Sequence, residues 1–362
     1  MSGGVDSSVS ALLLLEQGYE VIGAFMKNWS GDVGGSECTL SEEKIGEMFE
    51  SCGWRQERRD AMRVAAKLGI PFLTFDFEKE YRRDVVEYLF KEYEAGRTPN
   101  PDVMCNKYIK FDLFLKEADK LGCDFIATGH YARLDSTAED HIKILMAKDQ
   151  NKDQTYFLWA INKNVLPRVL FPLGDLLKPQ VREIARKHEL HVATKKDSTG
   201  ICFIGEVEIQ KFLEKRIAKD PGLIITTEGK VIGKHSGIAY YTIGQRHGLS
   251  IGGGGGAPYY VAEKRPATKE LIVSSNYHQA LFHKHLLATE LNWFSKPTFT
   301  ISCEARIRYR QPLEECTLEK KQENQWLVHF NRAQRAITPG QSIVFYKAEE
   351  MIGGGIIEDR YE

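Results

Sequence analysis

The chain opens on a string with phosphate chemistry in it, MSGGVDSS, Met1 to Ser8. Gly3 and Gly4 followed by serines at the mouth of a helix let main-chain N–H groups wrap a phosphate, and the helix N-terminus adds partial positive charge. Ser2, Ser7 and Ser8 add hydroxyl donors, and Asp6 is of a type that holds a Mg²⁺ bridging phosphates. The string lacks the Gly-Lys-Ser/Thr ending of a Walker A loop. A glycine-containing helix cap without a ligand is the plainer alternative, but SGGVDS is far more specific than two glycines. The second source of chemistry is thiol. Seven cysteines, Cys38, Cys52, Cys105, Cys123, Cys202, Cys303 and Cys316, are spread through the chain. An odd number with no secretory context argues for a reducing compartment over a disulfide framework. Most are therefore expected to be buried, inert thiols. Cys38 and Cys52 have no neighbouring His and no C-x-x-C pair, so no metal site is expected there.

These residues need elements to hold them. Asp6 to Gln17 reads as a helix closed by Gly18, and Tyr19 to Met26 as a buried strand. Glu57 to Leu68 is an amphipathic helix, Ile70 to Phe77 a strand, Tyr81 to Ala95 and Tyr108 to Leu121 helices, and Asp124 to Thr128 a short buried strand. Short apolar strands alternating with helices give an α/β fold with a parallel sheet covered on both faces. The C-terminal part differs. Phe299 to Ile307 alternates, and Trp326 to Phe330 and Ser342 to Tyr346 are further strands, the last after a Pro339-Gly340 turn. That pattern predicts a small antiparallel barrel or sandwich. Arg306, Arg308 and Arg310 are spaced by two and would share one strand face.

The 362 residues, 42% hydrophobic and 27% charged, are ordinary for a globular protein that buries a core. No apolar run approaches the roughly 20 residues of a membrane helix, and no basic stretch before an apolar one marks a signal peptide. The net charge of −1 excludes a chain that is basic throughout. Residues 1–205 carry 28 basic and 32 acidic groups, a net of −4, and residues 206–362 carry 21 and 18, a net of +3.

SGGVDSS resembles the PP-loop of ATP pyrophosphatases, the adenine nucleotide α-hydrolase-like superfamily, which split ATP to AMP and pyrophosphate and adenylate an oxygen of the substrate. Three segments narrow the match: GRTPNPDVMCNKYIKF (Gly96 to Phe111), ATGHYAR (Ala127 to Arg133) and KDSTGICFIGE (Lys196 to Glu206). FMKNW near Met26, NKDQTYFL near Lys152, YTIGQRHGL near Thr242, RYRQ at Arg308 to Gln311 and TPGQSIVFY near Gln341 support it. Together they look like the tRNA 2-thiouridylase family, over nearly the whole chain.

The resemblance implies ATP-dependent adenylation of the wobble uridine C2 oxygen, then sulfur transfer from a cysteine persulfide. It implies a PP-loop domain over 1–205, a small mixed central domain over 206–277 and a tRNA-contacting β-barrel over 278–362. By the same resemblance Met1, Ser2, Gly3, Gly4, Val5, Asp6, Ser7, Met26 and Gly129 bind ATP, accompanied by Mg²⁺. Cys202 matches the thiol that accepts sulfur as a persulfide, Cys105 the second thiol, and Asp102 the acid/base group at the target base. Asn100, Pro101, Asp102, His130, Lys152, Asp153, Gln154, Arg308, Tyr309 and Gln341 match tRNA contacts. The implied partners are tRNAs for Glu, Gln and Lys and a sulfur-relay protein or cysteine desulfurase, in a bacterial cytoplasm or a mitochondrion.

From the residues alone, Asp102 in Asn100-Pro101-Asp102 is a turn residue, and Met26 suits a core position as well as an adenine contact. Lys107 and Lys110 near Cys105, and Lys195 and Lys196 before Cys202, are of a sign that lowers a thiol pKa. Cys123, Cys303 and Cys316 read as structural. Other PP-loop enzymes, such as tRNA lysidine synthetases or amide-forming ligases, do not need the Cys105/Cys202 pair; a non-catalytic tRNA-binding relative is the remaining rival. The PP-loop normally hangs from a strand of about ten residues, and here Met1 lies inside the motif, so the chain is expected to begin one strand late. The segment Gly31 to Arg59 is longer than the family's usual link.

Overall fold

The computed structural model describes residues 1–30, 53–136, 142–196, 209–249, 251, 258–275, 277–295 and 300–362. It divides into two compact units. The first comprises Met1–Val86, Pro101–Val207 and Glu349–Met351; the second comprises Glu87–Asn100, Glu208–Ala348 and Ile352–Glu362.

In the first unit α1 (Val5–Glu16) leads to β1 (Gly23–Lys27), and α2 (Gly53–Leu68) to β2 (Phe72–Asp76). A helical turn at Glu78–Tyr81 continues as a π-helical turn, Arg82–Val86. Then α3 (Pro101–Met104) runs into a π-helix (Cys105–Leu113) and α4 (Phe114–Lys120). Nine residues of π-helix are unusual, since wide turns are normally single and gather at functional sites. β3 (Ile126–Ala127), β4 (Ala132–Asp135), β5 (Lys143–Met146), β6 (Val169–Leu170) and α5 (Lys178–Lys187) follow. The pairs β1/β2 and β3/β6 are parallel, while β4 and β5 form an antiparallel hairpin whose β5 also pairs with Glu350 and Met351. Val5 and Val9 of α1 bury against Val64 of α2, Val181 and Ala185 of α5, and Tyr131. The i, i+4 spacing of Val5 and Val9 puts both on the inward face of α1.

The second unit contains α6 (Ile209–Glu214), β7 (Gly222–Thr226), β8 (Val231–His235), β9 (Tyr259–Arg265) and β10 (Glu270–Ser275). These strands lie in the order β8-β7-β10-β9, with only β7/β10 parallel. Next come β11 (Phe282–Trp293), β12 (Ile301–Arg306), β13 (Glu314–Gln322), β14 (Gln325–Arg335), β15 (Ser342–Lys347) and β16 (Glu350–Tyr361). Their order is β11-β14-β13-β12-β15-β16, and β16 pairs back onto β11. The sheet is thus a closed six-stranded antiparallel barrel, which leaves no unpaired edge. Leu286, Leu318, Trp326, Val328, Ile343, Phe345 and Ile357 fill it, and Trp293 stacks on Phe345 with ring centroids 5.3 Å apart.

The structure does not form the strand-face stripe of Arg306, Arg308 and Arg310 that the sequence predicts. β12 ends at Arg306. Beyond it the chain bends: Gln311 Oε1 accepts from the Ile307 amide, and the Gln311 amide donates to Arg308 O. Arg310 sits at φ 63°. With the strand over, alternation no longer sets direction. Arg306 is buried with its guanidinium over Tyr346, and Arg310 lies over Tyr309.

Candidate functional site

α1 begins behind Gly4, whose lack of a side chain leaves the first-turn N–H groups without a side-chain cap. Uncapped N–H groups at a helix start are the donors an anion takes. Gly3 holds φ +73°, and a Cβ there would come within 2.2 Å of Glu57 O, so the loop tolerates only glycine at this point. Ser7 Oγ accepts from the Ser2 amide at 3.0 Å and lies 3.2 Å from Ser2 Oγ, while Ser8 Oγ donates to Gly4 O. Gly129, just beyond β3, abuts the same loop: a Cβ on it would lie 2.8 Å from Ser7 N. Met26 sits half-buried in β1, and the Met1 amine donates to Ala24 O. The structure therefore brings Gly129 onto Ser7 and Asp6, residues separated from it by more than half the first unit.

Two half-buried ion pairs brace this loop, and the sequence reads neither. Lys178, at the start of α5 and 8% exposed, reaches both carboxylate oxygens of Asp6 at 2.7 Å. Tyr131 Oη donates to the same carboxylate at 2.9 Å, and the Lys178 amide donates to Asp149. Asp6 thus faces a lysine. The second brace is Asp60 on α2, which accepts from Lys195 Nζ at 2.8 Å and from Gln56. Lys195 also donates to Gly3 O at 2.9 Å, so this lysine ties down the loop. Burial pushes the Asp60 carboxyl up, but Lys195, Gln56 and His191 outweigh it and hold it below the usual carboxylate range.

Cys105 is fully buried at the junction of α3 and the π-helix. Pro101 is the first residue of α3, so Asp102 belongs to a helical first turn and not to the loop its proline suggests. Asn106 donates to Phe157 O at 2.9 Å and leaves its buried Oδ1 without a partner. Lys107 lies over the Tyr108 ring, and Lys110 acts on His130. Cys202 lies outside the described residues, as do Cys38 and Cys52.

His130 is 8% exposed, with its ring near Phe111 and Phe171 and its Nδ1 2.8 Å from Thr128 Oγ1. Burial, and then Lys110, drive its pKa well below 6.5. The folded chain therefore refuses a proton that the unfolded chain accepts. Stability is full above pH 6.5 and falls as pH drops below it. His130→Phe is expected to flatten the fall of melting temperature between pH 7 and 5; an unchanged profile would mean that His130 takes no part in it. Asp153, 1% exposed, accepts from Thr155 Oγ1 at 2.8 Å and from the Ala147 amide at 3.0 Å. Gln154 Oε1 accepts from the Tyr131 amide, so the side chains of Asp153 and Gln154 are used internally.

In the second unit, Gln341 Nε2 donates to Thr98 O at 3.0 Å and Pro99 O at 2.8 Å, and the Thr98 amide donates to Pro339 O. Gln341 thereby holds the strand of chain that ends in the buried Asn100. Arg308 Nη2 donates to Ile243 O, Ala336 O and Thr338 Oγ1 at 2.9, 3.0 and 3.1 Å. Among the described residues, no group of three or more His, Cys, Asp or Glu is placed to hold a metal, and no helix is long and apolar enough to cross a membrane.

Residues 1–206 match the tRNA methyl transferase HUP domain family, residues 210–275 the tRNA methyl transferase PRC-barrel domain and residues 283–357 the aminomethyltransferase beta-barrel domain. The chain is 47% identical to tRNA-specific 2-thiouridylase MnmA of Bacillus subtilis (strain 168), over 100% of this chain and 94% of that one. It is 50% identical to the protein of the same name from Pseudomonas entomophila, over 99% and 93%. Likeness to NMN synthetase from Francisella tularensis covers 60% of this chain and 76% of that one at 14% identity, with a TM-score of 0.31, below what establishes a common fold.

Proposed function

This chain belongs to the tRNA-specific 2-thiouridylase family, and from that premise we propose that it replaces the C2 oxygen of a wobble uridine in tRNA by sulfur. The observation that carries this reading is the uncapped start of α1 behind Gly3 and Gly4, with Gly129 packed against it. That cradle fits a triphosphate, because the start of α1 carries no side-chain cap and the close approaches at Gly3 and Gly129 admit no side chain. Ser2, Ser7 and Gly129 would line it, Met26 would meet the adenine, and Mg²⁺ would arrive with the phosphates. ATP supplies activation: the uracil C2 oxygen is a poor leaving group, and joining it to AMP makes it a good one.

The chain's own groups do the rest. Lys178 and Tyr131 hold Asp6, and Lys195 fixes Gly3, so the loop needs little reordering when an anion binds. Asp102 moves the proton at the target base. Cys202 carries the sulfur as a persulfide received from a relay protein or cysteine desulfurase. Cys105 then attacks the Cys202 sulfur and leaves a Cys105–Cys202 disulfide; the released hydrosulfide attacks C2 and expels AMP, and two external thiols reduce the disulfide. The substrates under this reading are tRNAs for Glu, Gln and Lys.

The family descriptions speak of methyl transfer and the full-length relatives of thiolation. Nucleoside mass spectrometry separates the two. Unmodified tRNA incubated with the protein, ATP, Mg²⁺ and a persulfide donor is expected to yield 2-thiouridine only when ATP is present. Methyluridine, or no new nucleoside, would overturn the reading.

Arg308 tests the tRNA surface. Arg308→Ala is expected to weaken tRNA binding and flatten the dependence of log K on log salt by about one unit, as for one lost phosphate contact. Filter binding across a salt series measures it. An unchanged slope would assign Arg308 wholly to its three acceptors within the second unit.

A further inference from the structure

Cys303 and Cys316, which read as structural from the sequence, lie 13 positions apart. The barrel makes them partners. They face each other directly across β12 and β13, flanked by the pairs Ser302/Thr317 and Glu304/Glu315. Their sulfurs are 3.7 Å apart. Directly opposed residues on antiparallel strands have Cα atoms about 4.5 or 5.5 Å apart, both within the roughly 4.4–6.8 Å of disulfides. The two thiols also differ in a useful way. Cys316 is buried in the barrel core, whereas Cys303 packs on the core's margin and is partly exposed. The hydrogen bond from Cys303, and then burial, push the Cys316 thiol far up. An oxidant therefore meets Cys303 first.

We propose that Cys303 and Cys316 form a redox modification site, a dithiol that hydroperoxides convert to a cross-strand disulfide. The Cys303 thiol reduces the peroxide O–O bond and becomes a sulfenic acid, with release of water. The Cys316 sulfur then attacks the Cys303 sulfur, the S–O bond breaks, and a second water leaves with the Cys316 proton. Two thiols and one hydrogen peroxide give one disulfide and two waters. The bond closes a covalent ring around residues 307–313, the turn that carries Arg308, Tyr309 and Arg310. Oxidation thereby staples the root of the segment whose arginine is proposed above to meet tRNA. The staple itself rests only on the geometry of the barrel.

The test uses the full-length wild-type chain, reduced and then exposed to hydrogen peroxide, with remaining thiols blocked by iodoacetamide before tryptic mapping. Trypsin cuts after Arg306, Arg308 and Arg310, so the bond appears as two peptides joined through Cys303 and Cys316, lighter by two hydrogens. The oxidised chain is expected to melt about 5 °C above the reduced one, as for a disulfide closing a short loop. Cys303→Ser is expected to lose both the joined peptides and the shift while thiolating tRNA at the wild-type rate. Alkylation of both cysteines after peroxide, a sulfinate on Cys303 without the link, or linkage of either to another cysteine would overturn the proposal. The map on wild-type protein decides it even if the variant fails to fold.

Discussion

Cys105→Ser and Cys202→Ser are each expected to lower 2-thiouridine formation by at least about 10³-fold while tRNA-dependent pyrophosphate release from ATP continues. A serine hydroxyl is close in size to the thiol but is neither a thiolate at neutral pH nor able to hold a sulfane sulfur. Under the proposed mechanism the activating half of the reaction draws on Gly3, Gly4, Ser7 and Gly129, and the sulfur half on the thiols, so thiol loss would uncouple them. Cys105 is fully buried, and a hydroxyl there that finds no acceptor costs about 1–3 kcal/mol. Melting curves must therefore accompany the assay. Thiolation surviving in Cys202→Ser would remove its persulfide role, and survival in Cys105→Ser would remove the attack proposed for it. Loss of pyrophosphate release with an unchanged melting temperature would place the thiol in the activating half instead.

Local pattern told much of the fold, because helices and short buried strands leave their period in consecutive residues. The helix expected at Asp6 to Gln17 is observed at Val5–Glu16, and the alternation near residue 300 ends in a closed barrel. Errors arose where a residue's neighbours in space overrode its neighbours in sequence. Tyr19 and Ile22 were read into a strand, yet both are exposed in the turn that follows α1, and β1 starts only at Gly23. Pro101 signalled a turn but starts a helix, since its fixed φ and missing N–H suit a first helical position. The arginine stripe failed because it extended β12 past the bend at Ile307.

The candidate site divides in the same way. The glycine loop before α1 is one contiguous string, so it was legible as a candidate; that Gly129 packs against it is a finding of the fold. The loop's braces were not legible. Tyr131 and Lys178 are 125 and 172 residues from Asp6, and Lys195 is 135 from Asp60. Pairs at such separation leave no period. One signal was available: Lys178 begins α5, whose first turn holds no acidic residue. A cation is unfavourable at that end of a helix dipole, and an unfavourable charge points to a partner elsewhere. Cys303 and Cys316 were likewise opaque, because only strand register makes them neighbours.

That partner makes Lys178→Met the second large expectation. Asp6 would keep Tyr131 but lose its only ammonium partner among the described residues. Breaking a well-buried ion pair costs about 3–5 kcal/mol. Asp6 is 33% exposed and retains some water, so about 2 kcal/mol is expected for stability. The effect on ATP should be the larger one. An uncompensated negative charge in the first turn of α1 repels the triphosphate. At about 6 Å and an effective dielectric near 20, that repulsion is about 3 kcal/mol, on the order of a 10²-fold weaker apparent affinity. Removing the second charge as well tests the cause. The double change Asp6→Asn with Lys178→Met should regain much of the affinity, since neither charge is then left unpaired, and Lys178→Arg should regain part of it. KM for ATP in pyrophosphate release, measured beside melting temperature, separates the outcomes. A lower melting temperature with unchanged KM would make the pair a strut of the fold alone. A raised KM that the double change relieves would make it the group that keeps the phosphate loop electrostatically open to ATP.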